Sequence, residues 1–261
     1  MSGQLAAGPE DRPAATLLAD IMDRARQADI DGGLLAVSLG AVDYEPAWSL
    51  QRGLAAARAR GQLVCDVMLL LEHPPTFTLG RHASMADIRW NKAAQQARGV
   101  RVIRIDRGGA VTFHGPGQLV GYPILHLPGR RLGVRRYIER LEDGLIAVLA
   151  GFGLAGVRHE KHPGIWVGDK KIAAIGIRCR RGVTTHGFAL NVSTDVTYFA
   201  GIVPCAQPDG EATSMADLLG PAAAMETVGR AVERHLPAAL GYSDVISFAP
   251  SEFNAETNYG A

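Results

Sequence analysis

The sequence has few of the features that mark secreted proteins, membrane-spanning proteins or proteins with a structural zinc site. Its 261 residues include three cysteines, none in a C-x-x-C pair, which argues against a disulfide framework or a structural zinc site and suits a reducing compartment. No apolar run approaches the roughly 20 residues that a membrane-spanning helix needs. The N-terminus has no basic-then-apolar signal pattern, and its early acidic residues are unlike a transit peptide. We therefore expect a cytoplasmic protein that does not associate with membranes.

An excess of charge of either sign is also missing. The 27 Lys and Arg residues nearly balance 26 Asp and Glu residues, for a formal net charge of +1. This balance gives no reason to expect non-specific binding to nucleic acid. With 47% apolar and 20% charged residues, the composition is that of an ordinary globular protein with a full hydrophobic core.

Strand and helix signals alternate along the chain without a repeat or a linker. Amphipathic spacing predicts helices over 48–60, 134–149 and 225–236, with Pro237 stopping the last. Apolar runs predict strands over 34–39, 64–71, 76–79, 100–105 and 188–192. A tight turn at 168–170 predicts a hairpin of 165–167 with 171–177, so the sheet cannot be purely parallel.

These signals predict one α/β domain with a short addition at each end. Residues 34–250 form the predicted domain, on a mixed or antiparallel sheet. Residues 1–33 form a predicted extension with one helix, which Pro13 could open and which the Asp-Gly-Gly at 31–33 would end. Residues 251–261 are a predicted C-terminal tail.

The densest chemical signal is the run Arg107-Gly-Gly-Ala-Val-Thr-Phe-His-Gly-Pro-Gly-Gln118. Four glycines and a proline in twelve residues have no use in a core strand, whereas glycine lets backbone approach a ligand closely. An isolated Gly-Gly is more often a hairpin turn. The polar side chains of Arg107, Thr112, His114 and Gln118 within the same run favour a binding site instead.

Cys205 is the predicted nucleophile. It follows Pro204 in a loop-like stretch with two prolines and two glycines, where a cysteine is more often exposed and reactive. Cys65 and Cys179 lie in apolar or alternating runs, where cysteine usually acts as a small buried hydrophobe.

A nucleophilic cysteine needs a base or a positive charge nearby, because a thiol of pKa about 8.5 is mostly protonated at neutral pH. Histidine is the usual partner, and a lysine can serve if it is partly desolvated. Lys171 begins the apolar stretch Lys-Ile-Ala-Ala-Ile-Gly, whereas Lys170 lies in the turn and is interpreted as a solvated lysine. The residues alone leave Lys171 a candidate.

Taken together, these segments closely resemble the lipoyl(octanoyl) transferase family. The resemblance covers roughly residues 34–220, and one departure is Ala206, where many members have glycine. The matching segments, in order, are 42–45 (VDYE), 72–75 (EHPP), 78–81 (TLGR), 107–118, 163–167 (PGIWV), 171–176 (KIAAIG), 186–191 (HGFALN) and 202–205 (IVPC).

The resemblance implies a fold like that of biotin and lipoate protein ligases, with a mixed, largely antiparallel sheet flanked by helices. It implies transfer of an octanoyl group from octanoyl-acyl carrier protein to a lysine, without a cofactor or a metal. The implied acceptors are lipoyl domains of 2-oxo acid dehydrogenase complexes and the glycine cleavage H protein.

The family's catalytic Cys/Lys dyad maps onto Cys205 and Lys171. Both protein substrates in the family are acidic. Two clusters of arginines are therefore a candidate docking surface, although such clusters usually form an ordinary solvated face. Those arginines are Arg130, Arg131, Arg135, Arg136, Arg178, Arg180 and Arg181. The implied acyl-substrate contacts are Arg107, Gly108, Gly109, Ala110, Val111, Thr112, Phe113, His114, Ala174, Ile175, Gly176, Gly187, Phe188 and Ala189.

Three alternatives remain open from the sequence. The first is an ATP-dependent lipoate or biotin ligase on the same fold, which would need no nucleophilic cysteine. The second is a non-catalytic protein that binds acyl groups or lipoyl domains. The third is a cysteine hydrolase that uses His114 as its base and releases free acid.

Overall fold

The computed structural model describes residues 14–28, 30, 32–160, 162–203, 211–220 and 223–250. The helices are α1 (Ala14–Gln27), α2 (Tyr44–Ala59), α3 (Lys92–Ala97), α4 (Val134–Gly151), α5 (Met215–Leu219) and α6 (Met225–Leu240). The strands are β1 (Leu34–Ala41), β2 (Asp66–Glu72), β3 (Thr76–Leu79), β4 (Arg101–Arg104), β5 (Val111–His114), β6 (Gln118–Ile124), β7 (Gly164–Val167), β8 (Lys170–Arg180), β9 (Val183–Asn191) and β10 (Val245–Phe248). No helix in these ranges is both long enough and apolar enough to cross a membrane.

The main sheet has seven strands in the order β10-β1-β2-β6-β9-β8-β7. Strands β10, β1 and β2 run parallel, and every later neighbour pairs antiparallel, which confirms the predicted mixed and largely antiparallel sheet. A second, three-stranded sheet has the order β4-β3-β5.

Helices cover both faces of the main sheet. On one face α4 and α6 pack in a core that includes Tyr137 and Leu145. These two helices approach closely at Gly144, where an added Cβ would lie 2.4 Å from Leu236 Cδ1. On the other face α1 and α2 pack in a separate core that includes Leu17 and Leu54.

The end of α6 differs from the prediction. Pro237 does not stop the helix, which continues to Leu240. Pro237 lacks the N–H that would bond to the carbonyl of Glu233, and its ring crowds that carbonyl, a cost that the helix bears here. Gly241 ends the helix in the left-handed conformation at φ 85°, which glycine adopts without a steric penalty.

Two elements lie near the ends of the described residues, a helix in the predicted extension and a strand that was not predicted. Helix α1 lies in the predicted extension and buries Leu17, Ile21 and Ala25 against the α2 side of the core. Strand β10 was not predicted, and it adds to the edge of the main sheet beside β1. The division of the chain into an extension, a domain and a tail stays a prediction, and residues 1–13 and 251–261 lie outside the described residues.

Candidate active site

A cavity of about 670 Å³ is lined by residues of both sheets. That volume lies within the range of about 300–1,000 Å³ that is usual for small-molecule sites. Of the predicted contacts, Phe113 does not line it, because its ring is buried in the small-sheet core and stacks at 4.7 Å on Tyr198. The predicted residues that do line the cavity are Arg107, Gly108, Gly109, Ala110, Val111, Thr112, His114, Lys171, Ala174, Ile175, Gly176, Gly187, Phe188 and Ala189.

The glycine-rich run combines a loop, a strand and a turn. Residues 111–114 form β5 and Gln118 begins β6, and the four glycines and the proline of the run lie outside both strands. The loop before β5 docks on β8 through a 2.9 Å hydrogen bond from Gly108 N to Ile177 O. A Cβ on Gly176 would lie 3.1 Å from Arg107 Cδ, so glycine at that position permits the close approach.

Arg107 places a buried positive charge beside the cavity. The residue is only 7% exposed, and its guanidinium donates to Thr78 O, Thr78 Oγ1 and Gly108 O at 2.9, 2.9 and 3.0 Å. The charge contributes to lowering the pKa of both His114 and His186.

His114 belongs to a hydrogen-bond chain that crosses three strands. Its Nδ1 lies 2.8 Å from Gln118 Oε1, Gln118 Nε2 donates to Asn191 Oδ1 at 2.9 Å, and Asn191 Nδ2 donates to Thr213 O at 2.9 Å. Because Gln118 donates through its nitrogen, its oxygen accepts, and His114 carries its proton on Nδ1. Burial, and then the charges of His73 and Arg107, hold the pKa of His114 well below its usual value. His114 is therefore a poor general base near neutral pH, which disfavours the hydrolase alternative.

Two further buried histidines lie close to the cavity. His73 Nδ1 donates to Val42 O at 2.6 Å and its Nε2 accepts from Tyr122 OH at 2.7 Å, and burial lowers its pKa to about 4. His186 lines the cavity with its Nε2 2.8 Å from Asp106 Oδ1. Burial lowers the pKa of His186 to about 3. Sequence reasoning did not separate His186 from structural histidines. Its φ of 57° is a strained conformation of the kind that clusters at functional sites.

Lys171 is held to the segment that follows the predicted nucleophile. Its backbone N donates to Glu211 O, and Thr213 N donates to Lys171 O, both at 3.0 Å. Its side chain lines the cavity, with Nζ 4.8 Å from the ring centroid of Trp166. Lys170 is exposed, as interpreted from the sequence, and a 2.6 Å bond to the Glu211 carboxylate raises its pKa.

Neither of the two cysteines in the described ranges is an activated thiol. Cys65 is fully buried, as the sequence predicted, and burial followed by the charge of Asp66 raises its pKa to about 11. Burial also raises the pKa of Cys179. Cys205 lies in residues 204–210, outside the described residues. Ile202 and Glu211, on either side of that segment, both line the cavity.

Several cavity residues were missed as site residues by sequence reasoning. Tyr44, Trp166 and Asn191 each line the cavity. All three lie inside segments that carry the family resemblance, at 42–45, 163–167 and 186–191. Those segments were the available signal, but Tyr44 and Asn191 reach the cavity through long-range contacts that one sequence does not display.

Part of the predicted arginine docking surface lies far from Lys171. Arg180 is at the opposite end of β8, nine residues on, which at about 3.3 Å per residue is roughly 30 Å away. Arg135 and Arg136 share the Glu139 carboxylate, and Arg130 stacks 3.6 Å above the Tyr242 ring. Docking at these arginines stays a prediction.

Comparisons with known proteins agree with the motif resemblance. The lipoyl protein ligase A/B catalytic-domain model matches residues 43–237. An octanoyltransferase of Chloroflexus aurantiacus is 50% identical over 193 residues, covering 73% of this chain and 86% of that protein. An octanoyltransferase of Alkaliphilus metalliredigens is 44% identical over 188 residues, covering 72% and 86%.

Among solved structures, lipoate-protein ligase A bound with ATP superposes with a TM-score of 0.64 at 16% identity. The match covers 84% of this chain and 89% of that one, and it confirms the predicted likeness to the lipoate ligase fold. At this identity the likeness shows the fold alone. The family model and the octanoyltransferase relatives go further, and by them the chain belongs to the lipoyl protein ligase A/B catalytic-domain family, among its octanoyltransferases.

Proposed function

We propose that this chain transfers an octanoyl group from octanoyl-acyl carrier protein to the ε-amine of a lipoyl-domain lysine, through a thioester on Cys205. One observation carries the proposal. Lys171 lines the cavity and pairs through its backbone with Glu211, the first described residue after the segment that contains Cys205. High identity to octanoyltransferases supports the octanoyl group as the cargo.

The cavity wall suits an aliphatic chain. Strands β8 and β9 pair Ala174 with Ala189 and Gly176 with Gly187, so this part of the wall has small side chains or none. Val111 adds apolar surface from the small sheet. Burying an acyl chain there is favourable by about 0.8 kcal/mol per methylene group.

In the first step, Lys171 assists the Cys205 thiol in losing its proton, and the thiolate attacks the thioester carbonyl. The bond from the carbonyl carbon to the carrier sulfur breaks as the bond to Cys205 Sγ forms, and the carrier thiolate takes the proton from Lys171. One thioester replaces another, so the step is nearly isoenergetic and needs no ATP.

In the second step, the acceptor lysine attacks the acyl-enzyme as a neutral amine. The carbon–sulfur bond to Cys205 breaks, the amine loses a proton, and the Cys205 thiolate is regenerated or takes up that proton. An amide is more stable than a thioester, so this step drives the whole transfer. We propose lipoyl domains of 2-oxo acid dehydrogenase complexes and the glycine cleavage H protein as the acceptors.

The test is the intact mass of the protein after incubation with octanoyl-acyl carrier protein in the absence of ATP. We expect one added octanoyl group, removed by hydroxylamine, and transfer to an apo lipoyl domain when that domain is added. Cys205→Ser should not form the hydroxylamine-sensitive adduct. Cys179→Ser, which removes a thiol of raised pKa, should form it normally. Full transfer activity in Cys205→Ser would contradict the proposal.

A further inference from the structure

Lys171 and Trp166 are a directly opposed cross-strand pair on β8 and β7. Side chains of such a pair lie on the same face of the sheet. Lys171 Nζ is 4.8 Å from the indole centroid, within the roughly 6 Å at which a cation is attracted to the face of a ring. Trp166 is only 4% exposed, and partial desolvation strengthens that attraction.

Gly164 leaves the space through which the lysine side chain reaches the indole. A Cβ there would lie 2.8 Å from Lys171 Cε and 2.5 Å from Ala173 O, closer than real atoms approach. Its φ of 140° is also a conformation that residues with a side chain rarely adopt. The buried Glu142 carboxylate accepts a 3.1 Å hydrogen bond from Gly164 N and so fixes the start of β7.

The indole is itself held firmly. Trp166 and Val157 exchange two backbone hydrogen bonds of 2.8 and 2.9 Å, and the His159 ring packs 5.1 Å from the indole. Within the described ranges, the indole N–H has no hydrogen-bond partner although it is buried. The ring face, rather than the N–H group, therefore makes the polar contact seen here.

We propose that Gly164 and Trp166 form a cradle that positions the ammonium of Lys171 for its work in the cavity. Gly164 admits the methylene stem and Trp166 holds the charged end by a cation–π contact, so both are positioning residues. The inference rests on the proposed role of Lys171 in acyl transfer, and it adds how the ammonium of that lysine is positioned.

The other charged groups around the cradle have partners of their own. Lys170 binds the Glu211 carboxylate at 2.6 Å. On the α4 side, Arg158 binds both Glu142, at 2.9 Å, and Asp143. His159 and His162 stack on each other at 5.0 Å, and both are titratable groups at this rim.

The test compares Trp166→Leu with Trp166→Phe. Both changes remove the indole N–H and part of the side-chain volume, and only phenylalanine keeps a ring face for the ammonium. Trace acetylation with acetic anhydride, read by peptide mass spectrometry across pH, measures Lys171 against the exposed Lys92 of α3. We expect the acetylation midpoint of Lys171 to fall by about one pH unit in Trp166→Leu and by less in Trp166→Phe.

Transfer kinetics give the second readout. We expect kcat to fall about 10-fold in Trp166→Leu, with partial recovery in Trp166→Phe and a smaller change in KM for octanoyl-acyl carrier protein. If Trp166→Leu does not fold, the comparison of Trp166→Phe with the natural chain carries both readouts. A Lys171 midpoint and a kcat unchanged in the folded variants would overturn the cradle. A lowered acetylation midpoint of Lys171 in Trp166→Leu, together with full transfer activity in Lys171→Ala, would support the cradle and contradict the proposed role of Lys171 in acyl transfer.

Discussion

At the scale of single residues, Gly109 can be compared with another glycine in the left-handed conformation. The comparison tells whether glycine is needed there only for the backbone or also for acyl transfer. Gly109 has φ 83°, and Gly153, remote from the cavity, has φ 76°. A side chain in this conformation costs about 1–2 kcal/mol at either position. We expect Gly109→Ala and Gly153→Ala to lose similar free energy of unfolding in urea titrations, with octanoyl transfer reduced in Gly109→Ala alone. Equal transfer rates would reduce the glycine-rich loop to a turn.

A pair of substitutions at Lys171 separates charge stabilisation from proton transfer. If the ammonium stabilises the Cys205 thiolate, Lys171→Ala should raise the pH midpoint of alkylation of Cys205 and slow its acylation. Each unit of that shift corresponds to about 1.4 kcal/mol of preference for the thiolate. Lys171→Arg should restore the midpoint and leave the rate low, because guanidinium does not release a proton at these pH values. The readouts are iodoacetamide alkylation against pH and single-turnover acylation. An unchanged alkylation midpoint in Lys171→Ala would show that a group other than Lys171 stabilises the Cys205 thiolate.

The sequence predicted those site residues whose signal is local. Arg107 and His114 stand in one glycine-rich run, so their neighbourhood is visible without a structure, and both line the cavity. Tyr44 and Asn191 act through partners elsewhere in the chain, such as Gln118, which is 73 residues from Asn191. Nothing in one sequence shows which of its many polar residues will meet across strands.

At the scale of elements, β6 and β9 are coupled by a glycine and an aromatic ring. A Cβ on Gly121 would lie 2.1 Å from Phe188 Cε1, so Gly121→Ala must displace the Phe188 ring, which lines the cavity. Overpacking of this kind costs about 1–3 kcal/mol. We expect Gly121→Ala to lower the melting temperature and raise KM for octanoyl-acyl carrier protein, and we expect added Phe188→Leu to recover part of the stability. Additive losses in the double variant, measured by thermal unfolding, would contradict the coupling.

Prediction of the elements succeeded where periodicity is strong. The apolar spacing of α4 follows the helical repeat for several turns, and its apolar residues Tyr137, Leu141 and Leu145 are buried. The same reasoning failed at the end of α6, where Pro237 was expected to stop a helix that continues to Leu240. Strand β10 is short and only partly buried, so its pattern carries little signal, and it depends on β1 for its hydrogen bonds.

At the scale of the whole molecule, buried histidines make the fold sensitive to acid. His73 and His114 and their neighbour His186 all have lowered pKa values, with burial as the largest cause. Their rings form one cluster with Tyr44 and Tyr122, in which His73 and His114 lie 5.8 Å apart. Protonating any one of them would place a charge in a region that also contains the buried cation of Arg107.

The sign of the pH dependence follows from these shifts. In the unfolded chain a histidine titrates near pH 6.5, whereas burial lowers the pKa of His73 to about 4 in the folded chain. Between these values the unfolded state binds more protons, so the free energy of unfolding falls as the pH falls. The stabilisation is complete above about pH 6.5 and is lost progressively down to the folded pKa, by up to about 1.4 kcal/mol per pH unit for each histidine.

We therefore expect the urea midpoint of unfolding to fall steeply between pH 6.5 and 5, and His73→Gln should make that fall shallower. Glutamine can donate to Val42 O and accept from Tyr122 OH as His73 does, but it does not titrate. The change should remove about one proton from the pH dependence, or up to about 1.4 kcal/mol per pH unit, and leave stability at pH 8 much less affected. Urea unfolding followed by circular dichroism at pH 8, 6.5, 5.8 and 5 measures both quantities. A His73→Gln curve parallel to that of the natural chain would show that His73 is not protonated on unfolding in this range, and the acid sensitivity would then belong to other groups.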